Sequence, residues 1–215
     1  MKITILTLFP EYFDSVLNTS IIKKAQENNL VEFQLINIRD FAQDKHQTTD
    51  DRPFGGGPGM VMKIEPIDLA LKSLVLSKGT KNKQIILTSA KGRKFDQDLA
   101  KSYASLDELV LVCGHYEGVD ERVAQNLIDE EVRIGDYVLT GGEPAVAVML
   151  DAVSRLIPGV LGNQESNQGE SQDTPGQMGF PSYTRPADYL GLSVPEVLLS
   201  GDHEKIDQWR EEQKS

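Results

Sequence analysis

The feature that most limits what this chain can fold into is a regular alternation of short apolar, β-branched runs with stretches whose apolar residues recur at helical spacing. Residues 2–9, 31–38, 84–88, 108–113 and 131–134 read as strands. Between them, Pro10 suits a first helical turn ahead of Tyr12, Phe13, Val16 and Leu17, and Pro66 does the same ahead of Ile67, Leu71 and Leu74. Phe95, Leu99 and Tyr103, then Val123, Leu127 and Ile128, mark two more apolar helix faces, and a further helix over 143–156 has Pro144 near its start. Strand and helix in alternation predict an α/β fold whose mostly parallel sheet is covered on both faces.

That unit closes near Pro158. Residues 162–179 contain no aliphatic side chain except Met178 and read as a polar loop. Tyr183, Thr184, Arg185 and Pro186 follow, then an apolar element over 194–199 and a last helix from about residue 202 carrying Ile206 and Trp209. This remnant is too small to hold a core of its own. The expected division is 1–160 as the main domain, 161–182 as a flexible connection and 183–215 as a short helical C-terminal part.

Several function classes drop out. One cysteine, Cys113, excludes an intrachain disulfide framework, and three scattered histidines (His46, His115, His203) cannot close a zinc finger. No metal site is read from the sequence. The apolar stretch 3–9 runs into Pro10-Glu11 without a small-residue cleavage site and reads as a strand, and no apolar run approaches the roughly 18 residues of a membrane span. A soluble, cytoplasmic protein without membrane contact is expected. The net charge of −11 argues at first against a polyanionic partner. It hides a gradient, however: residues 1–104 carry 15 basic and 12 acidic side chains, whereas residues 105–143 carry 2 and 10. The stretch 78–94 holds six basic residues and no acid, which as a charge run reads equally as a solvated loop and edge.

The common nucleotide signatures fail. Gly55-Gly56-Gly57-Pro58-Gly59-Met60 puts methionine where a dinucleotide fold needs its third glycine, and neither a phosphate loop nor a G-x-S-x-G elbow is present. Cys113 beside His115 is the one sequence-adjacent nucleophile and base, but a cysteine ending the apolar run 109–112 reads first as core. What remains is glycine placed after three successive strands, where open α/β sheets bind ligands. These loops are Thr88-Ser89-Ala90-Lys91-Gly92, Cys113-Gly114-His115-Tyr116-Glu117-Gly118, and the run from Ile134 and Gly135 to Gly141 and Gly142. A fourth loop, 50–60, is too rich in glycine and charge for a bare connector.

At these four segments the chain resembles the bacterial tRNA (guanine-N1)-methyltransferase family, which methylates the guanosine immediately 3′ of the anticodon. The resemblance runs from Leu6, Phe9 and Pro10 through Arg39-Asp40-Phe41, 50–60, 111–122, 134–143, 154–162 and 183–186 to Trp209-Arg210, nearly the whole chain. It implies a SPOUT-type α/β domain tied in a deep trefoil knot, acting as a homodimer, with S-adenosylmethionine as methyl donor and tRNA as substrate. The strand-and-helix pattern alone implies an unknotted open sheet, since knots are rare.

The same resemblance places the donor against Thr88, Ser89, Ala90, Gly114, Tyr116, Ile134, Gly135, Asp136, Tyr137, Val138, Leu139, Gly141 and Gly142. It places substrate against Asp50, Arg52, Gly55, Gly56, Gly57 and Gly59. Arg155 matches the family arginine that steadies negative charge on guanine O6; the plainer reading is a helix-end arginine favoured by the macrodipole. The family base is an aspartate followed by serine and an aromatic, whereas this chain has Glu170-Ser171-Gln172 in a loop one residue longer. Glu170 is taken as the base and Asp173 as the alternative carboxylate. Family members usually continue a few dozen residues beyond the point corresponding to Ser215. The rival reading is a non-catalytic S-adenosylmethionine- or nucleotide-binding module of the same fold.

Overall fold

The computed structural model describes residues 1–162, 170–172 and 176–214. It divides into two compact units, Met1–Asn163 and Gln164–Ser215.

In the first unit a five-stranded, wholly parallel sheet has the order β2-β1-β6-β5-β7. Its strands are β1 (Lys2–Thr7), β2 (Glu32–Asn37), β5 (Lys83–Lys94), β6 (Glu108–Val112) and β7 (Glu130–Arg133). The helices are α1 (Asp14–Leu17) and α2 (Ser20–Glu27), α3 (Ile64–Ser73), α4 (Gln97–Ala104), α5 (Glu121–Asn126) and α6 (Glu143–Ser154). A two-stranded hairpin, β3 (Asp50–Asp51) with β4 (Val61–Met62), stands apart from the sheet.

Side-chain alternation along each strand builds two cores, one per face. Ile3, Ile5, Ile86, Leu109 and Leu111 join residues of α2, α4 and α6, while Leu6, Ile85, Leu87, Val110 and Val112 join those of α3 and α5. Every residue of β6 is buried, which is why its apolar run is unbroken by polar positions beyond Glu108. Cys113 belongs to the first core and is fully buried; burial first, then the charge of Glu143, pushes its thiol well above the ordinary range, so it is a packing residue and no nucleophile.

The expected strands recur within one or two residues, except that β5 runs on to Lys94. Its pairing with β7 shifts between Thr88 and Arg93, both of which face Val132, so residues 89–92 bulge out of register. Gly92 permits this: a Cβ there would lie 2.6 Å from the Glu131 carbonyl oxygen. The basic stretch 78–94 is partly consumed in holding the bulge, with Lys91 paired to Glu121 and Glu131 and Arg93 to Glu130. The single helix read after Pro10 is a 3-10 turn (Pro10–Phe13), then α1, then α2, whose Ile22 and Ala25 face the core.

The second unit holds a β8–β9 pair (Asp188–Tyr189, Leu192–Ser193) and the helices α7 (Glu196–Leu199) and α8 (His203–Gln213), with no buried residue in either helix. Its contacts are superficial: Tyr183 lies 6.3 Å from the Trp209 ring and the Arg210 guanidinium sits over Phe180. Among the described residues no helix is long and apolar enough to cross a membrane.

Candidate active site

Strands β6, β5 and β7 are neighbours, and the loops leaving their C-terminal ends converge on one cavity of about 470 Å³. This size is usual for a small-molecule site. The route of the chain explains the convergence. After edge strand β7, residues 134–142 turn back across the end of β5 to β6, where Gly141 bridges His115 and Gly142 N–H donates to Gly114 O at 2.7 Å. Only then does α6 begin.

Backbone proximity at that crossing demands glycine. A Cβ on Gly142 would land on Thr88 Oγ1 and lie 2.9 Å from both Cys113 Cα and Gly114 N, and one on Gly114 would lie 2.8 Å from Thr88 O. Thr88 fastens the junction, its hydroxyl donating to Val112 O and accepting from Gly114 N, each at 3.2 Å.

The cavity is lined by Thr88, Ser89, Ala90, Gly114, Tyr116, Ile134, Gly135, Tyr137, Val138, Leu139, Gly141 and Gly142, all expected at a donor site. Asp136 is placed elsewhere. Its carboxylate turns outward to Arg133 Nε at 2.9 Å, and that guanidinium holds its pKa below the ordinary carboxylate value. Arg133 in turn donates to Gly92 O, which ties the β5 bulge to the wall. Charged residues that the sequence reading did not single out also line the cavity: Glu117, Glu121 and Glu131 against Lys91 and Arg133. Three carboxylates against two cations suit a ligand with net positive charge. Lys91 spans two of them, and its hydrogen bond to Glu121 raises its pKa.

None of Asp50, Arg52, Gly55, Gly56, Gly57 and Gly59 lines the cavity. They form the β3–β4 hairpin and its tip, where Gly55, Gly56, Gly57 and Gly59 all have positive φ and Phe54 is fully exposed. The hairpin is nevertheless sewn to the cavity wall. Glu117 N–H donates to Met60 O (3.0 Å), Met62 N–H to Gly118 O (2.9 Å) and Asp120 N–H to Met62 O (3.0 Å). Gly59 packs so closely on Glu117 that a Cβ would lie 2.7 Å from its Oε1. Glu117 therefore stands between the cavity and the glycine-rich tip.

Arg155 is the half-buried C-terminal cap of α6. Glu170 belongs to the second unit, in a turn where Ser171 Oγ accepts from Gly179 N–H (2.9 Å) and Gln172 N–H donates to Gln177 O (2.7 Å). Asp173 lies outside the described residues. Among those residues, no three His, Cys, Asp or Glu side chains gather as a metal-binding group.

A parallel α/β sheet with a glycine-walled cavity over three adjacent strand ends defines a small-molecule-binding α/β protein. The sequence profile of tRNA (Guanine-1)-methyltransferase TrmD matches residues 1–215, and the chain belongs to that family. It is 54% identical over 213 residues to the tRNA (guanine-N(1)-)-methyltransferase of Carboxydothermus hydrogenoformans, covering 99% of this chain and 82% of that protein. The proteins of that name from Staphylococcus carnosus and Staphylococcus haemolyticus are each 51% identical over 214 residues, covering 100% of this chain and 86% of theirs.

Proposed function

We propose that this chain is a tRNA (guanine-N1)-methyltransferase that methylates N1 of the guanosine 3′ of the anticodon, with S-adenosylmethionine held in the cavity over β6, β5 and β7. The observation that carries this reading is the junction of that cavity with the glycine-rich hairpin through Glu117, in a chain so close to enzymes of that name. The residues fit the donor. Leu87, Val132, Ile134 and Leu139 supply apolar lining, the cavity wall carries Gly114, Gly135, Gly141 and Gly142, and the carboxylate excess favours a cation. When bound, the donor supplies an electrophilic methyl group on a sulfonium sulfur.

The rest of the chemistry falls to the protein. Guanine N1 carries a proton at neutral pH, so attack requires a base at N1 and a cation near O6, where negative charge develops. Glu170 takes the N1 proton, with Asp173 the other carboxylate of that loop. Arg155 offers a planar pair of N–H donors to O6. The hairpin residues Asp50 and Arg52 and the glycine backbone position the nucleotide.

The same reading includes a deep trefoil knot, supported by the path of residues 134–142 from the edge strand back across β5 to β6. It includes a homodimer, supported by exposed Tyr137, Val138, Leu139 and Val148 near the cavity and on α6, and a cytoplasmic location. Calorimetry tests the donor site. Wild-type protein binds S-adenosylmethionine, and Gly141→Val, whose side chain meets His115 and Glu143, does not. Normal affinity in Gly141→Val refutes the placement.

A further inference from the structure

Burying a carboxylate is costly unless hydrogen bonds compensate. Glu143, the first residue of α6, is 4% exposed. Its Oε1 accepts from the Thr7 hydroxyl at 2.7 Å, and Thr7 Oγ1 accepts in turn from Phe9 N–H at 3.0 Å, so the carboxylate is anchored to the C-terminal end of β1. Its place in the first helical turn adds the favourable field of the α6 N-terminus.

The second oxygen faces His115. Oε2 lies 3.8 Å from Nδ1, beyond hydrogen-bond range, and Nδ1 is buried without a hydrogen-bond partner. A buried ring nitrogen left so is uncommon in native proteins. The ring itself is held between aromatics, 5.1 Å from Phe9 and 4.9 Å from Tyr116. Gly141 fills the angle between the two side chains: a Cβ there would stand 2.5 Å from both Glu143 Oε2 and His115 Nδ1. His115 and Gly141 line the cavity, whereas Glu143 does not. The unpaired nitrogen therefore belongs to a residue of the cavity wall, and the carboxylate that faces it stands outside the lining.

We propose that Glu143 is a positioning residue for the methyl donor, acting through His115. When the cavity fills, the loops carrying His115 and Gly141 settle together, His115 Nδ1–H donates to Glu143 Oε2, and the wall is locked through Thr7 onto β1. The closure needed is about 1 Å, since a charge-assisted N–H···O bond spans roughly 2.7 to 2.9 Å. The imidazole must carry its proton on Nδ1. A ligand shifts such an equilibrium only by binding one state better than the other, so the new bond appears as donor affinity. This inference rests on the cavity being the donor's site.

The test uses full-length protein, S-adenosylmethionine, and ¹⁵N-labelled histidine. In wild type, donor addition moves the His115 Nδ1 resonance to that of a hydrogen-bonded N–H, and in Glu143→Gln that donor-dependent change is lost. His115→Phe keeps the ring packing but removes the donor; its affinity for S-adenosylmethionine falls roughly 10- to 100-fold, the range expected for a hydrogen bond to a charged group. The KM for tRNA is unchanged. His115→Asn, which retains an N–H near the Nδ1 position, recovers most of the loss. An Nδ1 signal indifferent to the donor, or His115→Phe binding it as wild type does, overturns the proposal. A wild-type chain that binds no S-adenosylmethionine overturns the reading of the cavity itself, and this pairing with it.

Discussion

Gly142 offers a clean perturbation because its backbone (φ −80°, ψ −12°) is helical and open to alanine, so a methyl group there strains no dihedral and acts chiefly through sterics, against a gain of only about 0.4 to 1 kcal/mol from the stiffer unfolded chain. In Gly142→Ala the new Cβ falls on Thr88 Oγ1 and 2.9 Å from Cys113 Cα and Gly114 N. Thr88 can rotate, but the other two atoms are main chain at the end of β6 and cannot swing aside. Displacing the Thr88 side chain also breaks its bonds to Val112 O and Gly114 N. Overpacking costs about 1 to 3 kcal/mol and each lost hydrogen bond about 0.5 to 1.5. Together these terms come to about 2 to 6 kcal/mol, which lowers Tm by roughly 4 to 24 °C in a protein of this size. Scanning calorimetry reads the fall, and titration with S-adenosylmethionine reads the accompanying loss of donor affinity. On a Thr88→Ala background the first clash vanishes while the two main-chain contacts remain, so the effect of Gly142→Ala shrinks without disappearing. If Gly142→Ala melts with wild type and binds the donor normally, the three loops do not meet at Gly142.

Three further outcomes are expected. Glu170→Gln lowers single-turnover methylation roughly 10²- to 10⁴-fold with little change in tRNA affinity, and Asp173→Asn is nearly silent; if neither slows the chemical step, no carboxylate of that loop is the base. Mixed dimers of Arg155→Ala with a donor-site variant regain one working site, whereas a monomer that keeps full activity in sedimentation-checked samples rules out a shared site. Asp120 caps α5 and is hydrogen-bonded to Arg122, which holds its carboxyl below the ordinary 3.8; Asp120→Ala costs about 0.5 to 2 kcal/mol. Because a depressed carboxyl stabilises above its unfolded value, that deficit shrinks as pH falls below 3.8 in urea titrations, and a deficit that grows there contradicts the pairing.

The parts of the fold written in local pattern are legible in the sequence. Apolar runs marked the five sheet strands, and glycines marked the loops that meet at the cavity. The helix α2 escaped because it has no proline start, its N-cap Thr19 turns its hydroxyl to Ser15 O instead of capping the helix, and only Ile22 and Ala25 are buried. Strand order and the β5 bulge depend on which strands meet in space, which no local window encodes. Asp136 shares its loop with cavity residues, yet pairing with Arg133 three positions earlier turns it to solvent. Thr7, His115 and Glu143 carry no common motif: they lie at three separate places in the chain and meet only because β1 and β6 end where α6 begins. Glu117 was visible inside a recognised loop, but its packing on Gly59 was not.

The most direct test of the account is methyl transfer itself. Protein is incubated with S-adenosylmethionine labelled in the methyl group and with two tRNA transcripts, one carrying guanosine immediately 3′ of the anticodon and one with that nucleotide replaced. The account predicts label in N1-methylguanosine from the first transcript and none in the second. Equal labelling of both transcripts, or no transfer to the first by protein that binds the donor, contradicts it.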